Sequence, residues 1–304
     1  MSTTDSTSAR PAASEKTRGA PGRAATVRTQ SDEVMLWIAT AVVFVPGVIA
    51  LAQRWASAEY FQHGFLVPVV SLASAHRQIR GLGPSQRQQR ALAGLLLALA
   101  VYALGAVAAE PALEGLALVG AITALVGYRW GARGLRRLAF PLGFLLFMIP
   151  LPEAIVLPVV TKLQLFASAG AVGVLHVFGV TVLRDGNVMR LPGGEALFVA
   201  EACSGITSLL SLIPVGVLLA RFTQRGAWQR IAVVAAVVPA ALLGNMIRVI
   251  ATVLAAEAYG ARRATSGSLH ASAGLLTSAF AVLLVMAIAG VIARRSAPAR
   301  RASA

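Results

Sequence analysis

Apolar stretches long enough to cross a bilayer recur along almost the whole chain, and nearly all of its arginines are gathered into the short segments between them. A hydrocarbon core about 30 Å thick takes about 20 predominantly apolar residues per helix, and within it every backbone polar group must find a partner inside the protein. The chain therefore reads as an all-α polytopic membrane protein. Eight spans are expected, at roughly 34–53, 64–76, 91–109, 112–128, 138–152, 206–220, 231–256 and 271–293, of which the second, fifth and sixth are short. A mean hydropathy of +0.73, with 57% hydrophobic and 13% charged residues, excludes a soluble globular domain.

The formal charge of +15 describes topology rather than a nucleic-acid face, because the cations sit in inter-span loops. With the N-terminus inside, 20 of the 27 Lys and Arg residues fall on the inner side. They cluster at 10–28, 77–90, 129–137, 221–230 and 294–301. Six fall outside (Arg54, Lys162, Arg184, Arg190, Arg262 and Arg263), and Arg248 lies within a span. This bias predicts that both termini are cytoplasmic.

Residues 1–33 are rich in Ser, Thr, Ala and Arg and predict a disordered cytoplasmic tail rather than a cleaved signal peptide. Residues 34–293 form the membrane domain, and 294–304 a basic cytoplasmic tail. Heavy Ala, Gly and Arg usage beside only two lysines is a compositional hint of a GC-rich bacterial genome, hence of the bacterial cytoplasmic membrane. The segment from about 153 to 204 must begin and end outside. Its apolar part, 155–183, is interrupted by Lys162 and is too short for two crossings, which predicts an amphipathic or re-entrant helix pair. Alternating runs around Asp185-Gly186, followed by a Pro-Gly-Gly turn, predict a small β-hairpin cap that leads into the sixth span.

Given that topology, three chemically able residues share one side and one depth. Cys203, the sole cysteine, stands at the outer mouth of the sixth span; Arg248 lies in the outer half of the seventh; His270 precedes the eighth. A thiolate attacks a carbonyl, an imidazole takes and returns the proton, and a guanidinium stabilises the oxyanion, so the trio suits acyl transfer. Each residue also has a plainer role: a small apolar filler for Cys203, a helix-start cap for His270, and snorkelling to headgroups for Arg248. An intramembrane arginine costs about 2.5–3.5 kcal/mol on insertion scales, and its default reading is functional. Glu201 is placed to position the histidine or arginine, and Ser204 is a rival nucleophile. Gly205 permits close backbone approach at the helix start, and Asn245, one turn before Arg248, is placed to orient it. His63 falls at an outer span end, where it is open to the same site although a headgroup anchor beside Tyr60 and Phe61 is the expected role; His76 and His176 do not fit the cluster. No metal-ligand spacing or phosphate-cradling loop is present in the sequence, and no cofactor is expected.

The blocks Glu-Ala-Cys-Ser-Gly-Ile at 201–206 and Asn-Met-Ile-Arg at 245–248, with His270 before the last span, resemble the three signature blocks of the exosortase/archaeosortase family. Residues 60–68 and 186–194 resemble its secondary blocks, so the likeness runs from about 35 to 293. The resemblance implies a membrane-embedded cysteine protease or transpeptidase. Such an enzyme cleaves a C-terminal sorting signal (a short motif, a transmembrane helix, a basic tail) on exported proteins. It also implies Cys203 as nucleophile, Arg248 as transition-state stabiliser and His270 as acid/base. With only residues 294–304 after the last span, no appended soluble domain of the kind some members carry is expected. Substrate proteins and membrane lipids are the expected partners. Two other classes stay open: a permease using Arg248 as an anion site, and a membrane acyltransferase using the same cysteine.

Overall fold

The computed structural model describes residues 22–83, 89–186, 188–191, 194–198, 206–265 and 267–295. Ten α-helices and a three-stranded sheet occupy them. The first helix, α1 (Gly22–Ser57), begins well ahead of the apolar run that opens at Val34. Its early part, up to Val43, is a separate unit by contact; there Val34, Met35, Ile38, Val42 and Val43 are exposed, as lipid-facing residues are.

From Phe44 onward the chain forms one body. A 3-10 segment (Glu59–Phe65) leads into α2 (Leu66–Ile79). The pair α3 (Arg90–Ala108) and α4 (Pro111–Arg137) is a tight antiparallel hairpin. Its turn uses Ala109 in the left-handed region (φ 52°) and Pro111 at the first helical position, where a missing N–H costs nothing. Gly131, at φ 60°, breaks the helical path of α4 near its end, a conformation that glycine alone adopts without steric cost. Then come α5 (Ala139–Phe144), a 3-10 turn (Leu145–Met148) and α6 (Glu153–Val177). Strands β1 (Leu183–Asp185), β2 (Val188–Arg190) and β3 (Ala196–Phe198) form an antiparallel meander. Leu183 pairs with Arg190 across a turn containing Gly186 at φ 63°. The remaining helices are α7 (Ile206–Thr223), α8 (Ala227–Tyr259), the short α9 (Ala261–Thr265) and α10 (Gly267–Arg295).

Six described helices are long and apolar enough to cross a membrane: α1, α3, α4, α6, α8 and α10. Side-chain contacts sort their ends into two sets. At one end Trp55 Nε1 donates to Met148 O (2.8 Å), His63 Nε2 to Phe147 O (3.2 Å), and Arg54 pairs with Glu153. The 59–65 segment packs against α7. At the other end Arg137 Nη1 donates to Gly81 O (3.4 Å), Gln224 Nε2 to Ala289 O (2.8 Å), and Arg221 lies over the Phe140 ring. The arginine-rich termini of α2, α4, α7 and α10 thus meet at one end of the body, which the loop charges alone had grouped.

Helix α6 differs from the expected helix pair. It is one continuous helix, because Lys162 is exposed and needs no break to reach water, while Pro158 removes a single backbone donor. By length and composition α6 is itself a candidate span. Glu153 meets Arg54 at the C-terminal end of α1, and Ala171, Val172 and Leu175 join the cluster holding Val249, Val253 and Ala256 near the C-terminal end of α8. The second and fifth expected spans are also shorter than a core requires. Helix α2 has 14 residues and the apolar run Ala139–Met148 has ten, about 21 and 15 Å of rise.

Small residues let the last three long helices approach closely. Ala240, Ala241, Ala281, Val285 and Ala289 are buried in one cluster with Leu212 and Val237. Gly244 leaves little room for a side chain: a Cβ there would stand 3.1 Å from Thr277 O and 3.3 Å from Ala281 Cβ. Glu195, just before β3, accepts the Ala261 N–H through Oε2 (2.9 Å), tying the sheet to α9, while Gly260 ends α8 at φ 85°.

Candidate active site

Three helices converge on the candidate site, and helix packing fixes their relative heights. On α8, Gly244 meets Thr277 and Ala281 of α10, and Arg248, one turn on, reaches Gly274. A Cβ on Gly274 would lie 3.1 Å from Arg248 Nη2 and 3.2 Å from Cζ, so the guanidinium rests on the bare backbone of α10. Position 270 precedes Gly274 by one helical turn and therefore shares the face that Gly274 presents to Arg248.

Helix α7 is antiparallel to α8, with Gly216 against Val237. Carrying that register back along α7 sets Leu212 beside Ala241, two residues buried in one cluster, and brings Ile206 level with Ile247. The start of α7, Arg248 and the start of α10 hence occupy one layer of the body.

The expected residues fare differently. Arg248 is half-buried, with its carbonyl receiving the Thr252 hydroxyl (2.9 Å). Asn245 is 3% exposed, and among the described residues neither its amide nitrogen nor its amide oxygen has a hydrogen-bond partner, so it makes no bond to Arg248. Glu201, Cys203, Ser204 and Gly205 lie outside the described residues, as does the side chain of His270, whose backbone belongs to α10. Among the described residues no group of three His, Cys, Asp or Glu side chains is arranged to hold a metal ion.

The other histidines have local duties. His176 Nε2 donates to Val182 O (2.9 Å), closing the turn after α6, and His76 accepts from Arg80 (2.9 Å) one turn away. His63 is not the exposed headgroup anchor that its position suggested. Its ring is packed inward, its Nδ1 is buried without a partner, and burial pushes its pKa below the ordinary 6.5 against the opposing carbonyls of Phe147 and Tyr60. With Gln62 and Ser211 it supplies the polar lining of an otherwise apolar cavity of about 700 Å³ between α2 and α7. The sequence signal for this was an ionisable residue followed by glycine among aromatics, directly before an apolar helix.

A multi-pass membrane protein with an arginine laid across a helix crossing, beside a histidine-bearing helix start, is the class that fold and site define. The family profile described as "Transmembrane exosortase (Exosortase_EpsH)" matches residues 55–287. The chain belongs to the transmembrane exosortase family, and is thereby a membrane-embedded sorting enzyme. Neither the curated proteins nor the solved structures contain a match.

Proposed function

We propose that this exosortase is a cysteine protease or transpeptidase that cuts the C-terminal sorting signal of exported proteins, with Cys203 as nucleophile, Arg248 as oxyanion stabiliser and His270 as acid and base. The observation that carries the reading is the seat of Arg248 on Gly274, one turn from position 270 and level with the start of α7. Only three peptide links separate Ile206 from Cys203, which keeps the two Cα atoms within about 11 Å whatever the path. Glu201, Ser204 and Gly205 flank the thiol as supporting residues.

In this mechanism His270 takes the Cys203 proton and the thiolate attacks the scissile carbonyl. The negative charge on the tetrahedral oxygen falls to Arg248, in surroundings of low dielectric where a fixed cation acts strongly. Collapse breaks the C–N bond, and His270 returns its proton to the leaving amine, whose peptide carries the apolar helix and basic tail. A thioester remains on Cys203 until water or an acceptor amine attacks it, with His270 again taking the proton. The site faces outward from the bacterial cytoplasmic membrane, and both termini are cytoplasmic. Eight elements then cross, the short α2 and α5 among them, while α6 and the sheet cap the outer side. The loop charges and the arginine-rich end of the body support this orientation.

The test is Cys203→Ala at equal protein level. Processing of tail-bearing exported proteins is expected to stop; continued processing refutes a Cys203 mechanism, and its loss in Ser204→Ala instead would assign the serine.

A further inference from the structure

We infer that Asn245 is a substrate-binding residue, whose carboxamide pairs with a backbone peptide unit of the substrate on the membrane side of the scissile bond; this rests on the proposed role of Cys203. The starting observation is a fully buried amide, 3% exposed, with both its donor and acceptor atoms unused. Among the described residues none is its partner. The nearby Thr277 hydroxyl is spent on Ala273 O (2.8 Å) and Gly274 O (3.1 Å), and Gly244 beside it has no side chain. Buried polar groups left in this state in a native fold are retained for a reason, and an incoming ligand is one.

Position specifies the ligand. Asn245 follows Val237, which packs against Gly216 of α7, and Ala241 at intervals of four along α8, and it precedes Arg248 by three residues. Three residues of helix rise about 4.5 Å toward the middle of the body, which an extended chain covers in one to two residues. With the oxyanion at Arg248, Asn245 therefore comes level with the first or second peptide unit beyond the scissile bond. That stretch of substrate must leave its helix to be cut, and within a membrane its freed N–H and C=O groups find no water. A carboxamide supplies two donors and an acceptor in one plane, the complement of a single peptide unit.

The experiment uses the full chain in detergent and exploits its single thiol. Alkylation rates of Cys203 are compared for iodoacetamide and for an N-bromoacetyl trileucine amide, whose peptide extends in the direction of the leaving chain. The wild type is expected to prefer the peptide reagent, and Asn245→Leu to lose about tenfold of that preference with the iodoacetamide rate unchanged. Methylating the peptide's backbone nitrogens should slow the wild type and leave the variant unaffected. Because leucine replaces an unpaired buried amide by hydrocarbon, Asn245→Leu should melt no lower than the wild type; Asn245→Ala gives a second variant should leucine not fold. An unchanged preference overturns the inference. So does an equal loss with both reagents together with a shifted pH midpoint, which would make Asn245 a residue that positions Arg248. If neither reagent alkylates Cys203 in the wild type, the nucleophile itself is refuted and this inference with it.

Discussion

Replacing Gly274 by alanine should damage catalysis while leaving the fold as stable as before. The added Cβ would sit 3.1 Å from Arg248 Nη2, 3.2 Å from Cζ and 3.5 Å from Nη1, where ordinary contacts begin at 3.4 Å. The obstruction is the far end of a flexible side chain, so the arginine yields and the helices do not. A displacement of a few tenths of an ångström falls short of the full loss of an oxyanion donor, which costs about 10²–10³ in rate, and of the roughly 10² that 1 Å can cost. A loss of about tenfold is expected. Meanwhile alanine is the better helix former by about 0.5–1 kcal/mol, so the melting temperature should hold or rise. Processing rate of a tail-bearing reporter and thermal melting in detergent check the two halves. Gly290→Ala, on the same helix with open space at its Cβ, serves as the control and should keep full activity. Unchanged processing in Gly274→Ala would refute a catalytic role for Arg248 in this seat, and activity lost in step with stability would reduce the effect to packing.

Gly244→Val should force α8 and α10 apart at Thr277 O and Ala281 Cβ, costing about 1–3 kcal/mol and lowering the melting temperature of the purified chain. His63 is held neutral by burial, its pKa depressed below 6.5. The unfolded chain therefore binds the proton that the folded chain resists, and stability falls as pH drops below about 6.5. His63→Gln should remove part of that acid sensitivity in melts between pH 7.5 and 5. Glu153→Gln breaks an ion pair whose side chains are 35% and 58% exposed, and should change stability by less than about 1 kcal/mol, with the difference vanishing in high salt.

The long helices were legible because apolar length alone identifies them, and Asp185-Gly186 between alternating runs announced the first two strands. Helix α6 was not: Lys162 read as a break, whereas it stands exposed on one continuous helix. Arg248 stood out since a cation within a span needs a reason. Gly274 did not, because what makes a glycine necessary is the atom opposite it, and that atom belongs to another helix. Asn245 was noticed for its helical spacing from Arg248, yet spacing cannot tell a shared face from a hydrogen bond, and its amide proves unpartnered. His63 looked superficial by position because only the Phe147 carbonyl and the α7 wall, distant in sequence, show that it is enclosed.

An activated, outward-facing thiol on Cys203 would show itself in its reaction with a membrane-impermeant maleimide between pH 5.5 and 8.5. Intact cells are compared with inside-out vesicles, and the single cysteine makes the label unambiguous. Labelling from outside is expected, with a rate midpoint well below the free-thiol value of about 8.5 that rises in His270→Ala. Labelling confined to inside-out vesicles, or a midpoint at or above the free-thiol value, would contradict it.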